Sequence, residues 1–219
     1  DEDMSLAEYE DFLFSACAVE KDDPVAHWRS VAKSQDRIIS FLSGCKTLRV
    51  RSVDTDIEFS VEGRNWINCA GRENFPDGEI FTAPLEDSVE GHIRFTYPAC
   101  FQNREVEDVR LTFEEGQVVR AEAGKGLDFL KAMIETDDGA SFVGEFALGT
   151  NQGITRLTKN TLFDEKIGGT VHLALGASLP ESGGKNVSAI HWDMVCDMRQ
   201  GGEISADGEL FYRDGKFLI

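Results

Sequence analysis

The spacing of apolar residues changes once along this chain, near Gly44, and that change sets the class of fold. Before Gly44 the apolar residues recur every three or four positions, as on one face of a helix, at Leu6, Tyr9, Phe12, Leu13 and Ala16. After Gly44 apolar and polar residues alternate in segments 47–53, 56–61 and 90–97, which is the period of a half-buried strand. The sequence therefore predicts helices first and a sheet after them.

Capping signals mark the ends of the two leading helices. Ser5 and Glu8 have the spacing of a capping box, in which each side chain accepts a hydrogen bond from the backbone of the other. Asp23 followed by Pro24 is typical of an N-cap with proline at the first helical position. Gly44 stands where a glycine is expected to cap the end of the second helix.

The rest of the chain is dominated by turn and strand signals. Segments 109–113 and 118–122 flank a Glu-Glu-Gly-Gln turn and predict a hairpin, and one further helix is predicted around 127–135. Two Asp-Gly turns, at Asp207 and Asp214, separate short strands near the end. This order predicts an α+β fold, in which N-terminal helices are followed by a largely antiparallel, curved β-sheet with one interrupting helix.

Composition excludes several classes of protein. The 219 residues include 40 acidic and 22 basic side chains, and the net charge of −18 argues against non-specific nucleic-acid binding. Hydrophobic residues make up 41% of the chain, which is enough for a packed core, and no apolar run approaches the ~20 residues of a membrane span. The first residue is Asp1 rather than Met, so we expect a processed chain or a fragment.

The five cysteines are far apart and form no Cys-x-x-Cys pair. This spacing argues against a structural zinc knot or a thioredoxin-type motif. We expect buried free thiols in a reducing compartment rather than disulfides.

Two histidines lie in strand-like apolar segments. His191 and Asp193, two residues apart, are expected on one strand face, while Ile190, Trp192 and Met194 point to the other. An imidazole and a carboxylate converging from one strand make half of a site for a divalent metal. His172 also lies in an apolar strand, and a hydrogen-bonded core histidine is an equally good interpretation for that residue alone.

Two glutamates repeat this pattern. Glu145 lies in an apolar segment where an unpaired carboxylate is too costly to bury, and Glu79 follows a Pro-Asp-Gly turn and precedes Ile80. Each taken singly also fits a strand-end carboxylate that faces solvent. Together with Asp193 they supply three negative charges, so two dications leave one positive charge in excess, which a bridging hydroxide would cancel. Zinc-like ions accept this mixture of nitrogen and oxygen ligands.

Other candidates are weaker. Lys166 is expected either to stabilise an oxyanion or balance a carboxylate, or to belong to a solvated turn with Asp164 and Glu165. Asn151 either lines the site or occupies a turn. Surface or structural roles are predicted for the remaining two histidines, His27 and His92.

Segments 74–84, 144–151, 162–176 and 188–195 resemble the signature blocks of the thermophilic metallo-aminopeptidase family. The resemblance implies a two-metal exopeptidase with Zn or Co that acts on peptides with free N-termini. The metal ligands it implies are Glu79, Glu145, His172, His191 and Asp193. Glu145 is also the candidate catalytic residue, as a bridging ligand or as the general base, and the residues leave that choice open.

The resemblance also carries expectations about organisation. It implies a cytoplasmic homodimer with an enclosed active-site chamber. Residues 1–219 then form a single catalytic domain, with residues 1–45 as a helical lead-in, and the N-terminal domain of the family is absent from this chain.

One position departs from the family pattern. The family has a tyrosine seven residues after the histidine of its third block, and here that position is Leu179. Loss of a donor to the developing oxyanion costs around 10²–10³ in rate in other enzymes. Two hypotheses follow: an active metal-dependent aminopeptidase, or a catalytically impaired metal-binding relative that serves as a dimeric binding or structural module.

Overall fold

The computed structural model describes residues 4–219, which contain four α-helices and one short 3-10 helix, Pro180–Ser182. Two helices lead the chain and two interrupt the strands. Their bounds are α1 (Leu6–Ala16), α2 (Pro24–Leu42), α3 (Leu127–Ile134) and α4 (Thr161–Asp164). None of the helices in this described part combines the length and the apolar composition needed to cross a membrane.

The capping residues act as predicted at both helix starts, but not at the end of α2. The Ser5 N–H and hydroxyl both donate to Glu8 Oε2 at 2.7 Å, and the Ala26 N–H donates to Asp23 Oδ1 at 2.8 Å. The cap predicted for Gly44 was wrong, because Gly44 is not left-handed and its N–H donates to the Phe41 oxygen at 3.3 Å. A tightened 3-10-type last turn satisfies the end of the helix instead.

The strands of the described residues belong to three sheets, and neighbouring strands are antiparallel throughout. The largest sheet has eight strands in the order β15 (Lys216–Phe217), β14 (Glu209–Arg213), β13 (Glu203–Ala206), β1 (Thr47–Ser52), β2 (Thr55–Ser60), β5 (Glu90–Arg94), β8 (Arg110–Glu114) and β9 (Gln117–Glu122). The predicted hairpin is β8–β9.

A five-stranded sheet has the order β12 (His191–Asp197), β11 (Thr170–Gly176), β10 (Val143–Gly149), β4 (Glu79–Thr82) and β3 (Ile67–Cys69). A separate two-stranded ribbon consists of β6 (Ala99–Phe101) and β7 (Arg104–Val106).

The α+β class and the antiparallel pairing are confirmed. The one curved sheet that was predicted is instead two large sheets and a two-stranded ribbon. Strand β1 alternates between buried and exposed residues, but β4, β10 and β11 are buried along their whole length. Strands buried on both faces cannot continue a sheet that has one solvated face, so they form a second layer.

The main core lies between the two larger sheets. Phe59 of β2 and Phe146 of β10 meet across it with ring centroids 4.9 Å apart, and helix α2 contributes Ile38 and Leu42. Trp192 and Met194 of β12 belong to the same apolar cluster. The side chains that alternate with these residues therefore point to the opposite face of the five-stranded sheet.

Candidate metal centre

The five predicted ligands lie on four neighbouring strands of one sheet. Glu79 begins β4, Glu145 lies on β10, His172 lies on β11, and His191 and Asp193 lie on β12. Directly opposed residues of neighbouring strands share a face. The pairings Glu79–Gly149, Glu145–Ala174 and Ala174–Asp193 therefore bring these side chains together. We call this surface the ligand face.

The facing atoms are close enough to share cations. His172 Nε2 lies 3.2 Å from Glu145 Oε1, 3.4 Å from Glu79 Oε2 and 3.9 Å from Asp193 Oδ1. His191 Nε2 lies 3.4 Å from Asp193 Oδ1 and 3.7 Å from Glu145 Oε2. Most of the cluster is buried, but the His191 side chain keeps 29% of its surface exposed. The cluster is therefore open to solvent at His191.

Backbone carbonyls orient both imidazole rings. His172 Nδ1 lies 3.0 Å from the Glu165 oxygen, and His191 Nδ1 lies 2.7 Å from the Ala177 oxygen. A carbonyl only accepts hydrogen bonds, so each Nδ1 carries the proton. Each Nε2 is then the atom available to a metal on the ligand face.

Unsatisfied oxygens test whether a metal fits. Glu79 Oε2, Glu145 Oε2 and Asp193 Oδ1 are buried and form no hydrogen bond within the described part of the chain. Buried carboxylate oxygens without a partner are costly, and a cation among them removes that cost. Single donor atoms of Glu79, Glu145 and His172 lie within 4.8 Å of one another, as do those of Glu145, His191 and Asp193. The residues fit divalent ions, and Glu145 belongs to both groups.

Burial and the close contacts between these residues shift their pKa values. Burial raises the pKa of Glu145, although its hydrogen bond to His172 opposes the shift. Burial opposes the charge on both imidazoles. The hydrogen bond from His172 to Glu145 and the close carboxylate of Asp193 beside His191 outweigh it, and they raise the pKa of His172 to about 9 and of His191 to about 10. Without a metal both rings are protonated at neutral pH, so binding of a metal releases protons.

Lys166 is a buried partner of the cluster. Its side chain is fully buried, and its Nζ lies 3.2 Å from Glu79 Oε1 and forms an ion pair with Glu165. Burial opposes the charge on Lys166, but the negative charges of Glu79 and Glu165 outweigh it and raise its pKa. The solvated-turn alternative was wrong, since Asp164 and Glu165 are also buried. The geometry matches the alternative in which Lys166 balances a carboxylate.

Glu165 is the residue of this centre that sequence reasoning missed. Its carboxylate forms a third group with His172 and Asp193, whose donor atoms lie within 4.8 Å of one another. Burial is the main cause that raises the pKa of Glu165 to about 8. The available signal was a charged triplet flanked by Phe163 and Ile167, which suits a buried turn as well as a solvated one.

The other two histidines lie outside the three donor groups, and Asn151 is engaged with the backbone. Asn151 Nδ2 donates to the oxygens of Ala16 at 2.9 Å and Asp77 at 2.7 Å, which matches the turn role rather than a site-lining role. His92 lies on β5 of the larger sheet, and His27 lies on α2 with its ring against Trp28.

Two polar residues that sequence reasoning did not single out fix the position of Glu79. Gln35 of α2 donates through Nε2 to the backbone oxygen of Glu79 at 3.1 Å. Asp77 Oδ2 accepts from the N–H groups of Gly71 at 2.6 Å and Arg72 at 3.0 Å, and so holds the loop that leads into β4.

Leu179 lies beside the ligand face. It packs against an apolar cluster that includes Phe81 and Ala147, which stand two residues after Glu79 and Glu145 on the same strand faces. The Leu179 side chain offers no hydrogen-bond donor at this position.

Comparison with known proteins shows which family this chain resembles. The model of the family described as thermophilic metalloprotease (M29) matches residues 1–217. The chain is 32% identical to Aminopeptidase 2 of Geobacillus stearothermophilus, covering 94% of this chain and 58% of that protein. It is also 32% identical to Aminopeptidase T of Thermus aquaticus, covering 90% and 54%. The chain thus spans little more than half the length of the curated relatives that it matches.

Two solved structures have a similar fold. Wild-type AmpT from Thermus thermophilus superposes with a TM-score of 0.83 at 27% identity, covering 98% of this chain and 61% of that one. The 2,5-dihydroxypyridine dioxygenase of Pseudomonas putida KT2440 shares the fold, with a TM-score of 0.70 at 17% identity. Because the family model spans nearly the whole chain, this chain belongs to the thermophilic metalloprotease (M29) family.

Proposed function

We propose that this chain is the catalytic region of a metal-dependent aminopeptidase that releases N-terminal amino acids from peptides by means of a water activated by two divalent ions. The observation that carries the proposal is the pair of donor groups that share Glu145. Relatives named aminopeptidase, about 30% identical over most of this chain, support the substrate class.

In this proposal Glu79, Glu145 and His172 hold one ion, and Glu145, His191 and Asp193 hold the other. Zinc or cobalt suits these imidazole and carboxylate donors. When bound, such ions activate water near neutral pH and polarise a carbonyl group.

Glu145 is proposed as the shared ligand. Its two oxygens face different imidazoles, with Oε1 3.2 Å from His172 Nε2 and Oε2 3.7 Å from His191 Nε2. The alternative role for Glu145 is that of general base, in which it would accept the proton of the attacking water instead of bridging the ions, because a carboxylate with both oxygens on metals has none free for a proton.

The exposed side of His191 is the proposed approach for the substrate, because the other four ligand side chains are at most 11% exposed. The net charge of −18 favours a peptide's cationic N-terminus over an anionic substrate. The proposal includes a cytoplasmic homodimer, and this part rests on the family resemblance alone.

The test is hydrolysis of aminoacyl p-nitroanilides by the protein after it has been dialysed free of metal and then supplied with Zn²⁺ or Co²⁺. We expect metal-dependent release of nitroaniline, none from N-acetylated substrates, and none from Glu145→Gln. Failure of the metal-loaded protein to release nitroaniline from any aminoacyl substrate would contradict the proposal.

Leu179 favours a second candidate, a metal-binding relative with impaired catalysis. The phenol implied by the family is replaced by an aliphatic side chain beside the ligand face. This candidate predicts metal binding at the same residues with no hydrolysis, so measurements of metal content and turnover on one preparation separate the two.

A further inference from the structure

The ammonium group of Lys166 lies between two buried carboxylates of the metal centre. It is 3.2 Å from Glu79 Oε1 and paired with Glu165, while the other oxygen of Glu79, Oε2, faces His172. The two carboxylate oxygens of Glu79 therefore have different partners. Oε1 pairs with the Lys166 ammonium, and Oε2 is directed at the ligand face.

A lysine ammonium only donates hydrogen bonds and has no lone pair to offer a metal. The Lys166 ammonium therefore contacts Glu79 and Glu165 as a cation and not as a further metal ligand. A dication bound by Glu79 is therefore placed beside a buried positive charge, where the repulsion is only weakly screened.

Without a metal the same charge is stabilising. Glu79, Glu145, Glu165 and Asp193 are four acidic side chains in one largely buried cluster. Buried carboxylates repel one another and lose hydration unless a cation is near. The Lys166 ammonium is one such cation, and it belongs to the chain itself.

We propose that Lys166 is a positioning residue that competes with the bound metal for Glu79 and Glu165, so that it stabilises the metal-free centre and weakens metal binding. This inference rests on the metal centre of the proposed function. It predicts that loss of Lys166 makes the protein bind metal more tightly, whereas loss of a purely structural residue beside the ligands would weaken binding.

The test uses three variants of the full chain and Zn²⁺ alone as the probe. Lys166→Met removes the charge and keeps most of the side-chain volume, and Lys166→Arg keeps the charge. Lys46→Met is the matched control, because Lys46 pairs with Glu62 on the exposed surface. Zinc affinity is measured by calorimetric titration, and the unfolding temperature is measured with and without zinc.

For Lys166→Met we expect roughly tenfold or greater tightening of zinc binding. We also expect a lower unfolding temperature without metal and a larger upward shift on adding zinc than in the wild type. Lys166→Arg and Lys46→Met are expected to match the wild type in zinc affinity. If metal-free Lys166→Met does not fold, competition of zinc-loaded protein with EDTA measures the affinity instead.

Unchanged or weaker zinc binding by Lys166→Met, while the wild type binds zinc, overturns the competition and leaves the proposed function standing. A wild type that neither binds zinc nor shifts its unfolding temperature overturns the metal centre itself, and the inference fails with it.

Discussion

The Nδ1 atom of His172 lies 3.0 Å from the backbone oxygen of Glu165, in the loop that leads into β11. The loop that leaves β11 does the same for the second imidazole, because the Ala177 oxygen lies 2.7 Å from His191 Nδ1. The two segments that flank one strand therefore orient both rings. Each Nε2 atom lies within 4 Å of a carboxylate oxygen of Glu145 and of Asp193, and Glu145 presents a different oxygen to each ring.

The shared position of Glu145 predicts unequal effects of two similar substitutions. Glu145→Gln removes a charged donor from both groups, whereas Glu79→Gln removes one from a single group. We expect Glu145→Gln to weaken zinc binding more than roughly hundredfold at both positions, and Glu79→Gln to retain one zinc ion per chain. Metal content after dialysis and calorimetric titration measure both. Equal stoichiometry in the two variants would show that Glu145 is not shared.

Much of this centre follows from strand periodicity. An alternating strand puts His191 and Asp193 on one face, and the cost of burying an unpaired carboxylate draws attention to Glu145. Periodicity does not show which strands are neighbours. That β4, β10, β11 and β12 lie side by side depends on pairing between residues far apart in the chain, such as Glu79 with Gly149.

What the sequence could not predict lies mostly in loops. The triplet that contains Glu165 and Lys166 has the composition of a solvated turn, and its burial depends on packing against Glu79 and His172. The two-layer arrangement was missed for a related reason. Continuous apolar runs predict strands buried on both faces, but their period does not indicate which sheet they join.

Asp77 is expected to hold Glu79 in place through the preceding loop. Its Oδ2 atom accepts from the N–H groups of Gly71, Arg72 and Glu73, and its Oδ1 accepts from Gly78. Asp77→Ala leaves these donors without an acceptor, so we expect a loss of about 3 kcal/mol in the free energy of unfolding, measured by urea denaturation. Asp77→Asn keeps one acceptor and should lose less. Equal losses in the two variants would contradict this account.

Asp207 predicts a pH-dependent contribution to stability. Its carboxylate accepts from the N–H groups of Thr47 at 2.9 Å and Lys46 at 3.1 Å, and these bonds lower its pKa below the ordinary value of 3.8. A lowered pKa in the folded state means that the stabilisation is present above pH 3.8 and is lost as the pH falls through the folded value.

The matched variant is Asp207→Asn, because Asp207 has a φ of 48° and asparagine tolerates this left-handed conformation. We expect Asp207→Asn to unfold at a lower temperature than the wild type at pH 7, with the difference shrinking as the pH falls below 3.8 and through the folded-state pKa. A difference that does not shrink as the carboxylate is protonated would assign the effect to shape rather than charge.

Leu179 gives the prediction that separates the two proposed functions. Its loop is held by contacts on both sides, with Asn65 Nδ2 3.0 Å from the Glu181 oxygen and the Arg64 guanidinium donating to the Gly183 oxygen. A side chain placed at 179 is therefore held beside the apolar cluster next to Glu79 and Glu145.

Leu179→Tyr places a hydroxyl donor there, and we expect kcat for aminoacyl anilides to rise by roughly tenfold or more, with little change in zinc affinity. Leu179→Phe supplies the ring without the hydroxyl and should leave kcat near the wild-type value. An equal rise in both variants would mean that ring packing matters rather than donation, and no rise in either would favour the catalytically impaired relative.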